Sequence, residues 1–213
     1  MNKEWSELNK TMQAQIKKKD TYKMGIDTLF NLRRQLMQTL VSFREDFNAI
    51  PFINADGYHS KTIAYSIWHI FRIEDIVAHT VITEDEQVFF TGNYQVRINS
   101  PIITTGNELV KQQIADFSKQ LNLEELYSYI FEVRESTEKI LERFSYDELK
   151  WKIPDERKGY LKSLNVVNCD EKAIWLIDYW CSKDIRGLIQ MPFSRHWIMH
   201  TEACLRIKNK MHS

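Results

Sequence analysis

Pro192-Phe193-Ser194-Arg195-His196-Trp197-Ile198-Met199-His200-Thr201-Glu202-Ala203-Cys204-Leu205-Arg206-Ile207 is the stretch whose reading sets the fold class. Phe193, His196, His200, Ala203, Cys204 and Ile207 recur at the three-and-four spacing of one helical face. Pro192 suits a first turn, where its missing N–H costs nothing. Lys208 and Lys210 suit the negative end of a helix dipole. On such a helix His196 and His200 stand one turn apart, so both rings can reach one ion. A helix supplies two nitrogen ligands to a metal in this way. A lone pair at this spacing also arises in ordinary packing, so the metal reading needs a third ligand from elsewhere.

Around this stretch the composition favours long helices. Six Gly and four Pro in 213 residues leave few turn signals. The length fits one domain, 1–213, with a substantial core. Twenty-nine basic and 29 acidic residues cancel, and the longest basic run is Lys17-Lys18-Lys19. Nucleic-acid binding, which needs a basic face, is therefore not expected. Cys169, Cys181 and Cys204 lack Cys-x-x-Cys spacing and read as reduced thiols. No run approaches the roughly 20 apolar residues of a membrane helix. The start, Met1-Asn2-Lys3-Glu4-Trp5, has no apolar signal core. The expectation is a cytoplasmic protein without membrane contact.

Upstream, residues 3–19 read as a short polar extension with a thin apolar face of Trp5, Leu8, Met12 and Ile16. A long helix follows over about 22–49, with Leu29, Leu32, Leu36 and Leu40 in its stripe; Gly25 suggests a bend and Pro51 a stop. Residues 51–60 carry an Asp-Gly turn signal. Residues 61–87 read as one apolar helix covered on two sides. Residues 91–106 read as a loop over one end of a bundle, with a β-branched stretch at 102–105 that also fits a hairpin. Helices are then expected at about 107–119, 123–144, 171–190 and 193–210. The fold class is all-α: an antiparallel four-helix bundle of 22–49, 61–87, 123–144 and 193–210, with an extra N-terminal helix and short peripheral helices. The aromatic-rich segment with Trp175, Tyr179 and Trp180 suggests a homodimer.

His69 is the best third ligand. It sits mid-helix in Ile67-Trp68-His69-Ile70-Phe71-Arg72-Ile73-Glu74-Asp75, and a buried histidine in such apolar surroundings needs a partner. His59 lies in the Asp-Gly loop and His212 in the tail. His79 is about 15 Å further along the helix axis, on another face. Cys204 is about 12 Å along the axis from His196, too far to share an ion, and reads as a core residue.

Trp68-His69-Ile70-x-Arg72-Ile73-Glu74-Asp75 and Met191-Pro192-x-x-Arg195-His196-x-x-x-His200 together resemble the DinB-like superfamily of small four-helix bundles. The resemblance covers roughly residues 22–210. It implies a divalent metal ion (nickel, zinc, iron or manganese) on His69, His196 and His200. Family members of known activity include transferases that use a low-molecular-weight thiol such as bacillithiol or mycothiol, and a thiol-dependent isomerase. The implied partners are thus a small-molecule thiol and a small electrophile.

Three neutral imidazoles leave an ion its full charge and an open coordination position, as catalytic sites do. Thiol activation is the first reading; hydrolysis of a small substrate and a non-catalytic metal-binding role in stress response are the alternatives. Arg72 lies on the His69 side of its helix, where it can orient an anionic thiol or substrate, or make an inter-helix ion pair. Glu74, Asp75 and Glu202 are candidate partners for ligand N–H groups, or solvated charges. Trp68 and Trp197 diverge from their histidine neighbours by about 100° and read as core or dimer-contact residues.

Overall fold

A computed structural model describes residues 2–44 and 61–211. The expected Asp-Gly loop, its His59, the Pro51 stop and His212 lie outside these residues. The described chain is helical, as its composition predicts. No strand occurs among the described residues; a single isolated bridge pairs Lys152 with Asp184.

Helix α1 (Lys3–Gln15) starts where the Asn2 side chain accepts from the backbone N–H groups of Glu4 and Trp5. It buries Trp5 and Met12 against α2 (Tyr22–Ser42). Gly25 lies in the first turn of α2, a continuous α-helix. A Cβ there would lie 2.5 Å from Ile16 Cγ2, so this glycine permits the close approach of the chain leaving α1. The regular α-helix ends at Ser42, and residues 45–49 of the expected helix lie outside the described residues.

The central helix α3 (Ile63–Asp75) is capped by Thr62, whose Oγ1 accepts from Tyr65 N. Every residue from Thr62 to Val81 is buried, which explains why the segment is apolar nearly all round. The expected single helix of 61–87 changes winding after Asp75, continuing as a wide-turn (π) helix over Ile76–Thr83. It stops at Glu84, in the left-handed region at φ 60°. The Thr83 hydroxyl donates to the Ala78 carbonyl and Asp85 N to the His79 carbonyl, taking up freed acceptors.

Two short helices, α4 (Val88–Thr91) and α5 (Tyr94–Arg97), lead into an irregular stretch, so no hairpin forms at 102–105. Then come α6 (Gln112–Gln120), α7 (Leu123–Arg143) and α8 (Glu156–Ser163). The helix expected at 171–190 is two, α9 (Glu171–Cys181) and α10 (Ile185–Gln190). Asp184 separates them because its side chain accepts from Gly187 N at 2.7 Å and caps a new helix. A π turn over Met191–Arg195 carries Pro192 and leads into α11 (His196–Met211).

Helix α3 packs against α7 and α11, and α2 against α1, α7 and α11. A buried ion pair joins these long helices. Arg33 of α2 is fully buried and donates to both carboxylate oxygens of Glu74, at 2.9 and 2.7 Å. It also donates to Glu138 Oε1 of α7 and to the Phe193 carbonyl. The guanidinium lies 4.3 Å from the ring centroid of Trp197, whose indole N–H donates to Glu74. Burial opposes the charge, but Glu74 and Glu138 outweigh it and raise the Arg33 pKa.

Candidate metal centre

The three histidines come from two elements. His69 stands near the middle of α3, His196 opens α11, and His200 follows one turn later. The contact between α3 and α11 brings them together. Ring centroids are 5.0 Å apart for His69 and His196, 4.7 Å for His69 and His200, and 4.5 Å for His196 and His200. Each ring offers a nitrogen within 4.8 Å of the other two. All three residues are buried.

Electrostatics keeps these rings neutral. Burial, and then Lys61, push the His69 pKa down to about 3, with the Thr105 carbonyl opposing. His196 is held well below the ordinary imidazole value by burial, then by His69 and Lys61. His200 is lowered in the same way by burial, His196, His69 and Lys61. Neutral imidazole is the form that ligates a metal.

Hydrogen bonding orients the first ring. His69 Nδ1 lies 2.7 Å from the Thr105 carbonyl, which can only accept, so Nδ1 carries the proton and Nε2 keeps its lone pair. Tyr65 stacks on the same ring, with centroids 5.5 Å apart and planes 12° apart. Its hydroxyl donates to the Gly106 carbonyl at 2.9 Å, tying helix to loop. The Nδ1 atoms of His196 and His200 are buried without a protein partner. Buried polar atoms left in this state cost about 1–3 kcal/mol each. Three converging neutral nitrogen donors, two of the rings with orphaned atoms, fit a divalent cation.

A cavity of about 320 Å³ opens onto the cluster. Its walls are largely apolar, with Trp175, Tyr179 and Trp180 from α9 and Met191, Pro192 and Met199 from the chain around the histidine pair. Lys61 and Asn107 are further polar residues in the wall. Trp180 is buried, whereas Trp175 is half exposed at the rim.

The other candidates lie elsewhere. Arg72 is fully buried and does not line the cavity. Its guanidinium donates to the Ile103 carbonyl at 3.0 Å and to Gln87 Oε1 at 2.6 Å, pairs with Asp75, and stacks 4.3 Å from the Phe89 centroid. It therefore fastens the 102–105 stretch to α3. Glu74 serves Arg33 and Trp197, while Asp75 accepts from Val88 N, Phe89 N and Tyr129. The Thr105 carbonyl, not a carboxylate, orients the His69 ring. Trp68 and Trp197 are both fully buried core residues. His79 is buried apart from the cluster, 2.6 Å from Asp85 and 3.0 Å from the Ser136 hydroxyl. Cys204 is buried, its thiol pushed up to about 12 chiefly by burial.

Residue types alone did not reveal Lys61, Asn107 or the Thr105 carbonyl. A backbone oxygen has no sequence signature, and Lys61 precedes its helix with no periodicity to mark it. Comparison of the chain with family models, curated proteins and solved structures finds no match.

Proposed function

We propose that this chain is a metal-dependent enzyme of the DinB-like kind. In this reading His69, His196 and His200 hold one divalent ion. The protein activates a low-molecular-weight thiol for attack on a small electrophile. The long helices α2, α3, α7 and α11 are, in the same reading, the antiparallel bundle of that family.

One observation carries the proposal: three buried, neutral histidines converge beneath a cavity, and no fourth His, Cys, Asp or Glu joins the cluster among the described residues. Structural metal sites usually close with a fourth protein ligand, whereas catalytic ones leave that position to water or substrate. A bound divalent ion supplies Lewis acidity, which draws the pKa of a thiol or a water toward neutrality. The chain's own residues do the rest. The Thr105 carbonyl holds the His69 tautomer, burial keeps all three rings unprotonated, and the aromatic walls exclude bulk water from the reacting groups. The 320 Å³ cavity favours turnover over a purely structural metal role, because a structural site needs no room above it.

Metal analysis of protein purified without a histidine tag, followed by a thiol-conjugation assay, tests the reading. The expected result is one divalent ion per chain and metal-dependent conjugation. Metal-dependent cleavage of an ester or amide with no thiol present would instead make it a hydrolase. A protein that takes up no divalent ion would end the proposal.

A further inference from the structure

We propose that Lys61 anchors an anionic group of the ligand, so that the site selects small amphipathic anions: molecules with a metal-seeking end, an apolar body and a carboxylate or similar group. The inference rests on the metal reading and extends it to the class of substrate.

The first support is the charge of the cavity. Among the described residues that line it, Lys61 is the one Lys or Arg, and no Asp or Glu contributes to the wall. With a divalent ion present the cavity is strongly cationic, and no acid among the described lining residues neutralises it.

The second support is the state of Lys61. Among the described residues it forms no salt bridge. Its contact is with an aromatic ring, Nζ lying 5.9 Å from the Tyr65 centroid. Tyr65 in turn stacks on His69, which places the ammonium one ring away from the histidine cluster. Glu108, an acid in the adjoining loop, accepts from the Thr104 hydroxyl at Oε1 and keeps a buried Oε2 without a hydrogen-bond partner, but forms no ion pair with Lys61 among the described residues. Burial lowers the Lys61 pKa, with Cys204 opposing, as expected of an ammonium that has lost water. A ligand carboxylate supplies that missing partner.

The third support is the remainder of the wall. Asn107 Oδ1 is buried without a partner and can accept from a ligand N–H or O–H. Trp175, Tyr179 and Met199 offer an apolar bed between the histidines and solvent. An anion with an apolar body matches this order of surfaces. A cation does not, because it would meet Lys61 and the ion together.

Cobalt(II) is the probe. Bound to three imidazoles it absorbs in the visible, and a thiol that adds to it, releasing its proton to solvent, produces a thiolate charge-transfer band. Titrating the cobalt protein with 3-mercaptopropionate, 3-mercapto-1-propanol and 3-aminopropanethiol varies the terminal charge at constant length. The expected order of affinity is anion, neutral, cation, with about a tenfold step from neutral to anion. Lys61→Ala is expected to reduce that step about tenfold, while Lys61→Arg keeps it. Lys61→Met, which retains the apolar stem, is a second neutral variant should Lys61→Ala misfold. An anion preference that is absent in the wild type, or unchanged in both neutral variants, overturns this inference while leaving the metal site standing. Failure of cobalt to bind the wild type overturns the metal reading and this inference with it.

Discussion

His69 shows how much a single side chain depends on its surroundings. In an unfolded chain its ring titrates near 6.5. Folded, it donates to Thr105, stacks on Tyr65 and is held at about 3 by burial and Lys61. Replacing His69, His196 or His200 by Ala is expected to weaken zinc binding by roughly a hundredfold or more, beyond what is typical for a lost ligand-orienting partner. His79→Ala should leave the affinity unchanged, because that ring is committed to Asp85 and Ser136. Isothermal titration of the four variants checks both statements. The depressed values also carry a pH signature for the metal-free protein. The folded state keeps neutral rings where the unfolded state binds protons. Stability is therefore fully present above about pH 6.5 and declines as pH falls toward the folded-state values, near 3 for His69. Each ring contributes a slope of up to about 1.4 kcal/mol per pH unit. Urea midpoints measured between pH 7 and 5 should fall, and a flat profile would contradict the burial argument.

At the scale of elements, two connections hold the site in shape. The loop after α5 gives its carbonyls to α3: Ile103 to Arg72, Thr105 to His69 and Gly106 to Tyr65. Gly106 has φ +75°, and a Cβ on it would lie 3.1 Å from Tyr65 Cε2. Gly106→Ala is thus expected to move the Thr105 carbonyl and weaken metal binding about tenfold without unfolding the protein. Zinc titration alongside far-ultraviolet circular dichroism separates the two effects. The second connection is Arg33 with Glu74, Glu138 and Trp197, which joins α2, α3, α7 and α11. Arg33→Met leaves the Glu74 carboxylate buried with only the indole N–H and is expected to cost about 3–5 kcal/mol in urea unfolding. Adding Glu74→Leu should recover part of that loss, since the pair is removed together. A double variant as unstable as the sum of the singles would show that the charges do not act as a pair.

For the whole molecule, the core of the described residues has two apolar clusters, and both histidine-bearing segments contribute to each. Trp68 and Trp197 belong to one cluster, Ile73 and Phe193 to the other. This arrangement leaves α9 to roof the cavity with Trp175 and Tyr179. The aromatic residues that suggested a homodimer line the cavity. Trp175 and Met199 remain half exposed at the rim; we propose that a homodimer contact covers this surface. Sedimentation at twice the chain mass of 25.5 kDa is expected; a concentration-independent single-chain mass would reject it. No helix among the described residues is long and apolar enough to cross a membrane.

What the sequence determined by itself was the helical class and the identity of the clustered histidines. Both are local properties: three-and-four periodicity marks helices, and His196 and His200 share a face wherever their helix packs. His69 was legible because a titratable ring amid isoleucines demands a partner. The tertiary structure alone decided the remainder. The change of winding after Asp75 arose in a segment buried all round, where apolar periodicity no longer distinguishes one face from another. At Gly25 the sequence could not show the close approach of Ile16, which depends on a neighbour's position. Arg72 shares a helical side with His69, yet its guanidinium found carbonyl and amide oxygens at a loop that spacing cannot place. Lys61 lines the cavity with rings eight or more residues away along the chain, a placement that only the packing of α3 against α11 decides.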